Sequence, residues 1–105
     1  MKTEDIVIIK NKLQPVFLKN NVQKVVVFGS VGRITSTKKS DLDLMIIMDT
    51  DKRFFDRYDT FNDIYDLVKG CAIDMLIYTP EELIDISHRP FIKRILKEGK
   101  VIYEH

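Results

Sequence analysis

Two periodicities divide the apolar positions of this chain. Ile6, Ile9, Leu13 and Phe17 recur at helical spacing with lysines between them, which predicts a first helix that Pro15 kinks or restarts. Val25-Val26-Val27-Phe28 is a short continuous apolar run, as is the stretch carrying Leu42, Leu44, Met45, Ile46 and Ile47. Runs of this length read as buried strands. Between residues 52 and 69 the helical period returns: Phe54, Tyr58, Phe61, Tyr65 and Val68 form a stripe, and Asp56, Asp59, Asp63 and Asp66 fall on another face. Ala72 to Tyr78 is a third strand. Thr79-Pro80-Glu81-Glu82 then offers a capping threonine, a proline at the first helical position and a glutamate three residues after the cap. Pro90 opens a last helix, Gly99 closes it, and Val101-Ile102-Tyr103 forms a short edge strand. This order predicts one α/β (α+β) domain over residues 1–105, a small mixed sheet with helices packed on one face.

The second strand carries its only charges at its start, as Asp41-x-Asp43. Residues i and i+2 of a strand share a face, so these two carboxylates point one way while Leu42 and Leu44 point the other. Like charges so close repel unless a cation lies between them, and a hard, oxygen-seeking ion such as Mg²⁺ suits that place. The first strand ends at Gly29-Ser30, where backbone N–H groups and a hydroxyl can face phosphate. Together the two halves suggest a site for a metal-bound nucleoside triphosphate. A second pair, Asp49-x-Asp51, lies where the strand runs out, about 20 Å or more from Asp43 if the chain stays extended. It serves no common ion, and Asp51 reads as a helix cap. Asp74, embedded in the apolar third strand, needs a partner or a cation, because burying a bare carboxylate is costly. In the polar stretch between the first two strands, Arg33 is a candidate clamp for a triphosphate oxygen and Ser40 a candidate hydrogen-bond donor to phosphate. Solvation and loop termination are the plainer roles for these two.

Gly29-Ser30-Val31-Gly32-Arg33 followed by Ser40-Asp41-Leu42-Asp43-Leu44-Met45-Ile46 resembles the core motif of the DNA polymerase β-type nucleotidyltransferase superfamily. The likeness is strongest to its shortest members, the minimal nucleotidyltransferase proteins, and runs from about residue 3 to Tyr103. One departure is Gly32-Arg33-Ile34, where many relatives have Ala-Arg-Gly. The resemblance implies a nucleotidyltransferase-like palm, with Asp41, Asp43 and Asp74 as the catalytic, metal-binding acids. It implies Gly29, Ser30, Arg33 and Ser40 around the nucleotide, two Mg²⁺ ions, ATP as substrate and AMP as the transferred group. It further implies pairing with a HEPN-type protein in a toxin–antitoxin system. A non-catalytic module that masks its partner is the competing reading, and nucleotidyl transfer to a small molecule is a third. A chain this short has no evident second lobe to grip an acceptor, which favours an acceptor supplied in trans.

Composition narrows the partners further. A net charge of +1 gives no overall basic field, so strong nucleic-acid binding is not expected. The single cysteine, Cys71, excludes an internal disulfide, and nothing near His88 completes a zinc set. No apolar run approaches the length of a membrane span, and the N-terminal residues lack a secretory apolar stretch, so the expected location is cytoplasmic. Self-association is left open.

Overall fold

The computed structural model describes residues 3–28, 42–68 and 72–105. Their elements are helix α1 (Thr3–Lys19), strand β1 (Lys24–Phe28), strand β2 (Leu42–Ile47) and a 3-10 helix (Phe54–Phe61), then helix α2 (Asn62–Leu67). Strand β3 (Ile73–Tyr78), helices α3 (Pro80–Ile86) and α4 (Pro90–Glu98), and strand β4 (Lys100–Glu104) follow. The sheet is mixed, in the order β3-β2-β1-β4. Strand β1 is antiparallel to β2 and β4, and β2 is parallel to β3. The expected α/β class therefore holds, with β4 at one edge as predicted.

Helix α1 buries Ile9, Leu13, Val16 and Phe17. It passes through Pro15 as one helix rather than restarting there. Both Pro15 and Asn11, whose carbonyl the proline leaves without its usual donor, are exposed, so water can take the missing bond. The helix ends on Asn21, whose φ of 56° is left-handed. Val22 N–H donates to the Phe17 carbonyl (3.0 Å) and Asn21 N–H to that of Leu18 (3.3 Å), closing a Schellman turn. Phe17 and Val22, which the turn brings together, are both buried.

Strand β2 lies between β3 and β1 and is covered on both faces, which is why its sequence reads as a nearly continuous apolar run, broken only by Asp43, rather than an alternation. On one face Leu42, Leu44 and Ile46 join the core built on α1, Phe61 and Ile64. On the other, Met45 and Ile47 pack with Val26 and with Ile92 and Ile95 of α4. The one-sided cover expected from sequence thus extends to the second face, because α4 also lies against the sheet. The segment 52–69, expected as one helix, is instead the 3-10 helix followed by the short α2. Asp51 is not its cap: the capping position is Arg53, with no side-chain hydrogen bond. The four predicted acids, Asp56, Asp59, Asp63 and Asp66, are exposed.

Helix α3 begins as its sequence predicts. Thr79 Oγ1 accepts from Glu82 N–H (3.2 Å), and Glu82 Oε1 accepts from Thr79 N–H (2.8 Å). Glu82 has a second role that the capping motif does not reveal. Its carboxylate takes both arms of Arg57, at 2.6 and 3.1 Å. Arg57 is only 5% exposed and also donates to the carbonyls of Lys52 and Ile77, each at 3.0 Å.

Gly99 caps α4 with a φ of −69°, so no left-handed turn demands it. Close approach does: a Cβ there would collide with Cγ1 of Val26 and lie 2.6 Å from the Ile95 carbonyl oxygen. Gly99→Ala is expected to lower stability by about 1–3 kcal/mol through overpacking. A urea midpoint that falls at unchanged slope would show this. A midpoint equal to wild type would mean that the α4–β1 contact yields freely.

Candidate active site

The parallel register of β2 and β3 sets Asp43 directly beside Asp74. Neighbouring strands lie about 4.8 Å apart, so the two carboxylates project from adjacent backbones onto the same face. The antiparallel register of β1 sets Phe28, its last residue, beside Asp43 on the other side. Pairing continues beyond the acids, where Leu42 N–H donates to the Ala72 carbonyl (2.8 Å). The start of β2 is therefore held at the start of β3, and both acids lie at the end of the sheet where β1 finishes at Phe28.

Asp43 is half-buried and is the one polar residue of β2. Asp74 is exposed, so the cost of burying a bare carboxylate does not explain it. It lies near the start of β3, an edge strand of the sheet. What marks Asp74 is its register with Asp43, which no one-dimensional pattern reports. Nearby, Tyr58 O–H donates to the Met75 carbonyl of β3 (2.6 Å) and covers part of that strand's edge. Burial, reinforced by Tyr78, Tyr65 and Asp74, raises this phenol above its ordinary 10.0.

Of the residues predicted for the site, Asp43 and Asp74 are brought together. Gly29, Ser30, Arg33, Ser40 and Asp41 lie outside the described residues. Among the described residues there is no group of three or more metal-ligating side chains. The two carboxylates are oxygen ligands of the kind a hard cation takes. Sequence reasoning did not single out Phe28 or Phe91 as site-lining residues. Their rings meet edge-on, with centroids 6.1 Å apart, and Phe28 is the strand neighbour of Asp43. The available signal was the position of Phe91 next to Ile92 but off the buried Ile92/Ile95 stripe.

Residues 11–105 match the family described as polymerase beta, nucleotidyltransferase. The chain belongs to that family. Two proteins of Methanocaldococcus jannaschii, provisionally named protein adenylyltransferases, are similar to this nucleotidyltransferase. One is 28% identical over 91 residues, covering 81% of this chain and 82% of its own length. The other is 33% identical over 84 residues, covering 76% of this chain and 57% of its own length. The fold also matches that of a toxin–antitoxin protein crystallised with AMP-PNP, with a TM-score of 0.65 and 17% identity over 91% of this chain and 73% of the other. A nucleotidyltransferase fold from Sulfolobus solfataricus matches with a TM-score of 0.64 and 17% identity, covering 96% of this chain and 82% of the other. A mutant of the toxin–antitoxin MntA–HpeT gives 0.63 and 14%, over 91% and 73%. At these identities the structural likeness establishes the fold of the nucleotidyltransferase and nothing finer. Among the described residues, no helix is long and apolar enough to cross a membrane.

Proposed function

We propose that this nucleotidyltransferase moves AMP from ATP onto a side-chain hydroxyl of a partner protein, a HEPN-type toxin that it thereby neutralises. The observation that carries the reading is the register of Asp43 with Asp74 at the end of β1 that runs on into Gly29-Ser30. Support comes from relatives named as protein adenylyltransferases and from fold neighbours solved as toxin–antitoxin assemblies, one of them with AMP-PNP.

Asp41, Asp43 and Asp74 would hold Mg²⁺, two ions in all. When bound, the ions neutralise triphosphate charge and lower the pKa of the acceptor hydroxyl. Gly29 and Ser30 bind the triphosphate through N–H groups and hydroxyl, with Arg33 and Ser40 on its oxygens. The acceptor oxygen bonds to the α-phosphorus, the bond from that phosphorus to the bridging oxygen breaks, and pyrophosphate leaves. The hydroxyl proton passes to the carboxylate of Asp74, which is exposed on the open side of the pair. Positioning and charge account for most of the acceleration.

The test is the intact mass of the co-expressed partner, which should rise in steps of one AMP with the wild-type chain. With Asp74→Asn the steps should vanish, while ATP affinity stays near normal because Asp41 and Asp43 remain. Turnover lost at unchanged affinity marks a group used in the chemical step. A partner whose mass never changes, yet is still neutralised, would leave masking by binding as the function. Mass steps that persist with Asp74→Asn would make Asp74 structural.

A further inference from the structure

On the α4 face of the sheet, at the end that carries the acids, four side chains lie in a row across three strands and a helix. Asp74 of β3 is in register with Asp43 of β2, and Asp43 with Phe28 of β1. Phe28 then meets Phe91 of α4, ring centroids 6.1 Å apart and planes at 85°. Phe91 does not belong to the core side of its helix, which is Ile92 and Ile95, and it is 58% exposed. A single exposed apolar side chain needs no explanation. This one is an aromatic ring held in place by a second ring, and that second ring neighbours the acid pair.

With strands about 4.8 Å apart, the Phe91 ring lies on the order of 10 Å from the Asp43 carboxylate. That interval matches the reach of a nucleotide from its phosphates through the ribose to the base. We propose that Phe91, seated on Phe28, is the platform on which the nucleobase of the bound triphosphate stacks. The inference rests on the reading of the acid pair as the nucleotide site. A phenyl ring offers no hydrogen bond, so it reads the area of the base and not its edge. Purines therefore bind better than pyrimidines, and adenine and guanine are separated little by this contact. Truncating such a platform typically costs tenfold or more in affinity.

The chain contains no tryptophan, so Phe91→Trp makes a protein with one fluorophore at the platform. ATP, UTP and inorganic tripolyphosphate, each with Mg²⁺, are the probes. ATP should quench Phe91→Trp saturably, and tripolyphosphate should bind without quenching. Phe91→Ala should weaken ATP about tenfold, leave tripolyphosphate unchanged and shrink the preference for ATP over UTP. Phe91→Leu keeps apolar bulk against Phe28 without a π-face; it should fold as wild type by circular dichroism and weaken ATP like Phe91→Ala. ATP affinity equal to wild type in both variants would overturn the platform. So would loss of partner binding with ATP binding intact, which would make Phe91 a partner contact. Phe91-dependent ATP binding with no mass gain on any partner would leave the platform standing and remove the protein acceptor. A wild-type chain that binds neither ATP nor tripolyphosphate would remove both.

Discussion

On the proposed function, replacing Asp43 with Asn should lower nucleotidyl transfer about a thousandfold or more while the chain stays folded. The substitution keeps the size and the half-buried position of the side chain and removes one anionic oxygen ligand. A neutral amide oxygen is a weaker ligand for a hard divalent cation and does not offset its charge. Asp43 stands beside Asp74 in the β2–β3 register. Circular dichroism should show the mutant folded as wild type. Calorimetry should show Mg²⁺-dependent ATP binding in wild type and much weaker binding in the mutant. Unchanged metal-dependent binding would remove Asp43 from the site. The double mutant Asp41→Asn/Asp43→Asn extends the test to the partner. If it still forms the complex but fails to neutralise the toxin, transfer is the function. If it protects fully at matched expression, the protein acts by binding.

The parts of the fold legible in the sequence are those where one local rule decides. Strand β2 is apolar throughout because both its faces are covered, and Asp43 stands out against that run. The start of α3 is written in Thr79, Pro80 and Glu82, since a capping box needs only four consecutive residues. The segment 52–69 failed for the same reason of locality. Its aromatic stripe satisfies a helical period, yet Phe, Tyr, Thr and Asp are indifferent helix formers, so tertiary anchors decide the local winding. Arg57 is such an anchor, tied forward to Ile77 and Glu82 and back to Lys52. Asp74 shows the same division within the site. Its type and strand could be read, but its exposure and its register with Asp43 arise from a parallel pairing between distant segments.

Arg57→Ala should destabilise the protein by about 2–3 kcal/mol, the largest loss expected from any single change outside the packed core. The pair with Glu82 is not the main reason. Glu82 is partly open to water, where its charge is screened and tolerable without a partner. The loss comes from the carbonyls of Lys52 and Ile77, which lose their guanidinium donor, and from the cavity left under the 3-10 helix. Arg57→Lys should recover only part of the loss, because one ammonium cannot reproduce a fork that serves two carbonyls and a carboxylate at once. Acid separates the two contributions. The Arg57 hydrogen bonds, followed by that from Thr79 N–H, lower the Glu82 carboxyl from an ordinary 4.5 to about 2. A group depressed on folding contributes fully above its unfolded pKa, so this contribution is intact above pH 4.5 and is lost as pH falls toward 2. Glu82→Gln should flatten that portion of the stability–pH curve, measured by urea midpoints between pH 6 and pH 2.5. Urea midpoints for Arg57→Ala indistinguishable from wild type at neutral pH would show that water replaces the guanidinium at both carbonyls. A Glu82→Gln curve as steep as wild type below pH 4.5 would place the acid sensitivity in other carboxylates.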